Sequence, residues 1–252
     1  MEQIYAAVIG QEKLASDVYS MWLDAGDMAR ASRPGQFICL YSKDQAHLLP
    51  RPISICEVDE KRGALRIVYR VVGYGTEEFS RAKAGERIKI TGPLGNGYTL
   101  KKEDAILVAG GIGIPPMLEL AKRLDAKKTI VLGYRDERFL DEEFAPYGKV
   151  VLATEDGSAG TKGNVLDAIK AQGVSGSVIY ACGPIPMLRA LKAYAMENGM
   201  EAQISLEEKM ACGIGACLAC VCESTETDGH SLVRNKRICK DGPVFDAREV
   251  AL

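Results

Sequence analysis

The chain has 252 residues, 47% of them hydrophobic and 26% charged, with a formal net charge of -2. That length suits about two domains and that apolar content supports packed cores, which excludes a disordered chain. The near-neutral charge speaks against nucleic acid as a partner, no apolar run is long enough to cross a bilayer, and the acidic, alternating N-terminus MEQIYAAVIGQEKL is unlike a secretory signal, so no membrane partner and a cytoplasmic location are expected.

Residues 1–98 read as a series of short strands at 3–14, 18–26, 35–42, 51–59, 64–72 and 85–93, separated by Gly, Pro or charged turns. Many short strands with regular turn signals predict a small antiparallel barrel. A helix is expected to start near Thr76, in TEEFSRAKAG. Across 99–200 the period changes. AILVAGG is an apolar strand running into glycines, and PPMLELAKRL places Met117, Leu118, Ala121 and Leu124 at helical spacing. Strands KTIVLGYRD, KVVLATED and SVIYACGP follow, with a helix NVLDAIKAQG ending at Gly173 and a helix MLRALKAYAMENG capped by Gly199. Strands alternating with helices predict a parallel sheet of the nucleotide-binding type. Residues 201–252 show no helical period, carry a polar loop at 223–229, and are too short to own a core, so an inorganic centre is expected to hold them together. The expected fold is therefore multi-domain, β plus α/β, with units at 1–98, 99–200 and 201–252.

Four of the eight cysteines, Cys212, Cys217, Cys220 and Cys222, fall within eleven residues, while Cys39, Cys56, Cys182 and Cys239 are scattered. In a reducing compartment such clustering points to metal or redox chemistry before disulfides. The spacing Cys212-x4-Cys217-x2-Cys220 with a distant Cys239 matches the plant-type loop that ligates a 2Fe–2S cluster. Four thiolates must converge on two irons, so the loop has to wrap tightly, and Gly213, Gly215, Ala211, Ala216 and Ala219 keep it uncrowded. The competing reading is a structural zinc site, which favours paired C-x2-C units. Only Cys217/Cys220 forms such a pair, Cys220-x-Cys222 adds ambiguity, no second pair surrounds Cys239, and the nearby histidine is His230. Cys222 is left as a surplus thiol.

A flavin needs a donor near its ring and a cation near its pyrophosphate. Arg51 and Ser54 in Arg51-Pro52-Ile53-Ser54 can supply these, and Gly73-Tyr74-Gly75-Thr76 offers a glycine turn, a hydroxyl and free backbone N–H groups for phosphate. Each motif alone is as readily a strand start or a turn; their order and separation make the pair informative. AILVAGGIGIPP is a strand, a glycine turn at Gly110, Gly111 and Gly113, and a helix start, although Pro116 replaces the third glycine of the full dinucleotide fingerprint.

Taken together, R-P-x-S, G-x-G-T, Gly92-Pro93-x-Gly95, Gly110–Pro116 and Cys182-Gly183-Pro184 resemble the ferredoxin–NADP reductase superfamily over nearly the whole chain. The resemblance implies that the barrel binds FAD through Arg51, Pro52, Ile53, Ser54, Val68, Tyr69, Arg70, Gly75 and Thr76. It further implies that the α/β unit binds a nicotinamide nucleotide at Gly110, Gly111, Gly113, Gly183 and Pro184, with Cys182 near the nicotinamide ring as the candidate catalytic residue; a buried thiol ending a strand is the plainer alternative. Glu155 and Asp156, after the third strand, would repel a 2′-phosphate and accept from a ribose hydroxyl, which favours NAD over NADP; Arg135 is the residue that could reverse this.

The C-terminal extension, ending in Cys239 and K-D-G-P-V-F, is similar to the electron-transfer subunits of class B dihydroorotate dehydrogenases. That resemblance implies cluster ligands Cys212, Cys217, Cys220 and Cys239, and an FMN-containing catalytic partner in a heterotetramer with two of each subunit. Electrons from dihydroorotate would then pass through the 2Fe–2S cluster and FAD to NAD+, in service of pyrimidine biosynthesis. The alternative is the small subunit of an NADH-dependent ferredoxin–NADP transhydrogenase or a sulfide dehydrogenase; the complete four-cysteine set favours the first reading. A colourless, zinc-stabilised binding module is the reading from a different class.

Overall fold

The computed structural model describes residues 1–44, 46–227 and 232–252; positions 228 and 229 of the polar loop, and His230, lie outside the described residues. The first half is a closed antiparallel barrel of β1 (Glu2–Lys13), β2 (Val18–Asp24), β3 (Phe37–Tyr41), β4 (Arg51–Asp59), β5 (Ala64–Arg70) and β6 (Arg87–Leu94), in the order β1-β2-β5-β4-β3-β6. Side chains alternate across a strand, so every second residue fills the barrel: Met21 and Leu23, Ile38 and Leu40, Leu65, Ile67 and Tyr69, Ile88 and Ile90 form one buried cluster. Two short helices complete it. α1 (Asp27–Ala31) buries Met28 and Ala29; five residues are too few to show a period in sequence. α2 (Tyr74–Ser80) starts two residues before Thr76 and stops well short of Gly85.

The second half is a sheet of β7 (Ala105–Gly110), β8 (Lys128–Tyr134), β9 (Lys149–Thr154), β10 (Thr161–Lys162), β11 (Val178–Cys182) and β12 (Glu201–Ser205), with helices α3 (Pro115–Arg123), α4 (Val165–Ala171) and α5 (Ile185–Glu197). α3 opens on two prolines, where missing N–H groups cost nothing. Asn164 caps α4, accepting from Leu166 N at 2.8 Å while Asp167 accepts from Asn164 N at 2.8 Å. Gly173 and Gly199 take φ values of 58° and 65° after their helices, the left-handed ending that glycine makes easy.

Residues 201–252 hold β12, a two-stranded ladder of β13 (Val221–Glu223) and β14 (Asn235–Arg237), and β15 (Val244–Asp246). The sheet order is β10-β9-β8-β7-β11-β12-β15, the last strand antiparallel, with Ile204 opposite Phe245. Ile238, Phe245, Ala247 and Val250 therefore share one buried cluster with Ile106, Val108, Ile179 and Ile204. The segment expected to lack a core borrows that of the sheet.

The two halves are bolted together. Glu119 of α3, fully buried, accepts from Val58 N of β4 at 2.9 Å. Arg66 of β5, 5% exposed, pairs with Glu143 of the other half at 2.5 Å and with Glu57 and Glu12 at 3.5 Å. Tyr98 donates to Ala181 O at 3.0 Å.

Candidate cofactor sites and metal centre

Arg51 to Ser54 open β4 and are all half-buried, whereas Ile55 and Cys56 behind them are buried. The start of the strand is thus open to solvent where the rest of it is covered. Arg51 donates to the carbonyls of Leu49 at 2.5 Å and His47 at 3.4 Å, and its guanidinium lies against Gly75, where a Cβ would sit 2.1 Å from Nε. The 72–76 turn closes on the Thr76 hydroxyl, which accepts from Val72 N at 3.0 Å and Gly73 N at 3.2 Å and donates to Gly73 O at 2.9 Å. Arg51, Gly75 and Thr76 are thus one neighbourhood with a cation and close backbone approach, a cradle for a phosphate. Along β5, Val68 is buried toward the α/β half and Arg70 is exposed, 3.5 Å from Asp17. Tyr69 points the other way, into the barrel; its hydroxyl donates to Gln11 at 2.8 Å and its ring stacks on Tyr19. Its side chain is therefore on the opposite face of the strand from Val68 and Arg70, and only its backbone is offered on their side.

The sheet starts at its centre with β7, runs outward through β8 and β9, and returns to β11 on the other flank. β7 and β11 are neighbours, Ala109 opposite Cys182, so their carboxyl ends form the crevice where such sheets bind nucleotides. Gly110, Gly111, Gly113, Cys182, Gly183 and Pro184 all lie there. The fit is tight: a Cβ on Gly113 would come within 2.4 Å of Cys182 O, and one on Gly183 within 2.5 Å of Met187 Cε. Glu155 and Asp156 follow β9, two strands away. Both are exposed, and Asp156 accepts from Ser158 N at 2.9 Å, a bond that holds its carboxyl below the ordinary value. Arg135, at the end of neighbouring β8, is also exposed.

Burial pushes the Cys182 thiol up to about 12, with Ser205 opposing and Glu207 adding to the rise. It is a neutral thiol, suited to van der Waals contact with a ring and unsuited to nucleophilic attack. Ser205 stands opposite Cys182 in the β11–β12 pairing. Neither Ser205 nor Tyr98 is visible as a site residue in sequence, because only the β11–β12 register brings Ser205 to Cys182 and only the tertiary bond from the Tyr98 hydroxyl to Ala181 O brings Tyr98 beside it.

The four cysteines assigned to the metal meet. Cys212 receives N–H groups from Ile214 at 3.4 Å and Ala216 at 3.3 Å; Cys239 receives Gly215 N at 3.0 Å; Cys220 receives Cys239 N at 3.4 Å. Among the described residues no three ligating groups converge tightly enough for one ion. The wrap instead sends the consecutive amides of Gly215 and Ala216 to Cys239 and Cys212, and Cys239 N to Cys220, a loop whose four cysteines suit two irons with four thiolate ligands. The environments differ. Burial raises the Cys212 thiol, but the Ile214 amide, the Cys217 thiol and amide, and the Ala216 amide outweigh it and lower it to about 6. Burial and Cys220 push Cys239 up to about 12. A thiol held protonated by its neighbour, as Cys239 is by Cys220, is one whose ionisation a cationic centre relieves. Gly213 and Gly215, at φ 71° and 83°, make the wrap possible. Cys222 turns away, into a cavity of about 260 Å³ that it lines with Ile185, Arg189 and Leu206.

The loop also sits against the barrel. A Cβ on Gly213 would lie 2.7 Å from Cys39 Sγ, and Cys39 of β3 is the cross-strand partner of Pro52. Asn96 donates to the carbonyls of Lys240 and Asp241, each at 3.1 Å, tying the turn after Cys239 to the barrel.

The chain is similar to known proteins. The family described as the iron-sulfur cluster binding domain of dihydroorotate dehydrogenase B matches residues 207–251. A Bacillus cereus protein named dihydroorotate dehydrogenase B (NAD(+)), electron transfer subunit, is 43% identical over all of both chains, and a Bacillus anthracis protein of the same name is 42% identical over the same span. A solved NADH-dependent reduced ferredoxin-NADP oxidoreductase chain superposes with TM-score 0.88 at 29% identity, covering 98% of this chain and 90% of that one. Flavohemoglobin from Malassezia yamatoensis shares the fold alone, with TM-score 0.66 at 18% identity over 81% of this chain and 60% of that one.

Proposed function

The chain belongs to the family of dihydroorotate dehydrogenase B electron-transfer subunits, and from that premise we propose that it carries electrons from an FMN-containing catalytic subunit, which oxidises dihydroorotate, through a 2Fe–2S cluster and FAD to NAD+. When bound, the cluster exchanges one electron at a time and the flavin one or two, so the pair converts between one-electron and two-electron carriers. The partner is read as two catalytic subunits with two copies of this chain, in the cytoplasm. No helix of the described residues is long and apolar enough to cross a membrane.

Residue by residue, Cys212, Cys217, Cys220 and Cys239 would hold the two-iron cluster through their thiolates. Arg51 offers its guanidinium to the flavin pyrophosphate beside Gly75 and Thr76. Ser54 presents a hydroxyl to the ring, Pro52, Ile53 and Val68 give apolar contact, Tyr69 contributes backbone, and Arg70 sits at the phosphate side. Gly110, Gly111, Gly113, Gly183 and Pro184 let the dinucleotide approach, Cys182 packs against the nicotinamide, and Glu155 and Asp156 accept from ribose hydroxyls. Residues 1–98, 99–200 and 201–252 serve as the FAD, NAD and cluster units.

The single observation behind this reading is the wrap that aims Gly215 N at Cys239, Ala216 N at Cys212 and Cys239 N at Cys220, in a loop that touches the strand next to Pro52. The test is the visible spectrum and metal content of freshly purified protein. Flavin bands, a broad reddish-brown shoulder and about two irons per chain are expected; bound zinc without flavin rejects it. Co-purification with an FMN subunit tests the partner, and a large flavin subunit with further clusters in its place would favour the transhydrogenase reading.

A further inference from the structure

We propose that Arg237 is a positioning residue for the two-iron centre, one that holds and polarises the peptide pointing at Cys212 and so raises the reduction potential of the cluster. The inference rests on the 2Fe–2S reading above. Arg237 ends β14, two residues before Cys239. Its Nη1 donates to Gly215 O at 3.2 Å. The other end of that same peptide is Ala216 N–H, which donates to Cys212 Sγ at 3.3 Å. Cation, carbonyl, amide and ligand sulfur therefore form one chain of hydrogen bonds. A charge-assisted bond at the carbonyl end strengthens the N–H bond at the other.

The guanidinium is fixed from behind. Nε donates to Asp241 Oδ2 at 3.0 Å and Nη2 to Oδ1 at 3.1 Å, while Asp241 Oδ2 also accepts Arg237 N at 2.8 Å. Both side chains are about one-third exposed, so solvent screens them less than a free surface pair. This two-pronged grip uses the planar fork of arginine; a lysine could not hold the carboxylate and the carbonyl together. Arg237 also pins the loop at Gly215, whose own N–H donates to Cys239 Sγ at 3.0 Å.

Reduction adds negative charge to a centre already ringed by thiolates. Donors and cations aimed at the sulfurs favour the reduced form and raise the potential. Asp241 has two effects: it fixes the cation and offsets part of its charge. Lys240 is a natural control, because it carries the same charge beside Cys239 but is exposed and screened.

The experiment is a redox titration of the cluster by electron paramagnetic resonance in the full-length holo-protein, comparing wild type, R237Q, D241N and K240Q. At the wild-type midpoint R237Q is expected to show at least a threefold lower reduced-to-oxidised ratio, about 30 mV downward for a one-electron couple. D241N is expected to shift upward, and K240Q to stay near wild type. An unchanged midpoint in R237Q, or an equal shift in K240Q, overturns the proposal. If R237Q assembles no cluster, a further variant, R237K, decides: it keeps the charge but loses the fork, so a lower midpoint supports the role and an unchanged midpoint overturns it. A wild-type protein without iron absorbance defeats the 2Fe–2S reading itself, a different result from a cluster whose potential ignores Arg237.

Discussion

Two single residues separate cofactor binding from folding. Gly75 lies within α2, so alanine there costs its backbone nothing, yet its Cβ would stand 2.1 Å from Arg51 Nε and drive the guanidinium away. G75A is expected to fold with near wild-type stability and to bind FAD about tenfold more weakly, roughly 1.4 kcal/mol, measured by flavin fluorescence titration; unaltered affinity would place the pyrophosphate elsewhere. C217S is expected to abolish the reddish-brown absorbance, since one of the four thiolates proposed to hold the irons is gone. Its circular dichroism should match wild type, because the sheet does not depend on that loop. Retained cluster absorbance would count against the ligand set.

At the scale of elements, the sequence was most legible where a long pattern decides. All six barrel strands and, apart from the two-residue β10, the alternation from β7 to α5 follow from apolar period and turn residues, and the C-x4-C-x2-C spacing marked the metal loop because thiolate number and spacing follow from the inorganic core. What stayed hidden was set by pairing at a distance. α1 is too short for periodicity, and VFD of β15 is a strand only because β12 offers it an edge. Tyr69 looked like its neighbours Val68 and Arg70, but strand alternation turns it inward to Gln11. Cys39 and Arg237 carried no motif; the fold brought them to Gly213 and Gly215. One prediction belongs here. Phe245 is 3% exposed within the core of the sheet, so F245A should cost about 3–5 kcal/mol in denaturant unfolding. Stripping the iron should cost the sheet less, and an equal loss would mean the inorganic centre carries the segment after all.

Across the whole molecule, the seam between the halves is lined by protonated groups. Cys56 and Tyr98 are enclosed there, and burial raises both well above their ordinary values; for Cys56 the carboxylates Glu57, Glu143 and Glu119 add to the rise and Arg66 opposes it. In the unfolded chain a thiol ionises near pH 8.5 and a phenol near 10. The folded state keeps its protons longer, so this contribution to stability is complete below about pH 8.5 and declines as pH climbs past it. The urea midpoint should therefore be lower at pH 10.5 than at pH 7.5; equal midpoints would mean these groups ionise as freely in the folded protein as out of it.

β12 and β15 clasp each other through Gln203–Asp246, Ile204–Phe245 and Ser205–Val244. Everything between them leaves and re-enters the sheet at one doorway, so the cysteine-bearing stretch is topologically an excursion from a hairpin. Lengthening or shortening that excursion changes neither strand order nor the path of the rest of the backbone. A plain two-cofactor reductase and one wired to a distant donor can thus differ by what is threaded through a single gap, with the carboxyl-terminal strand serving as the latch.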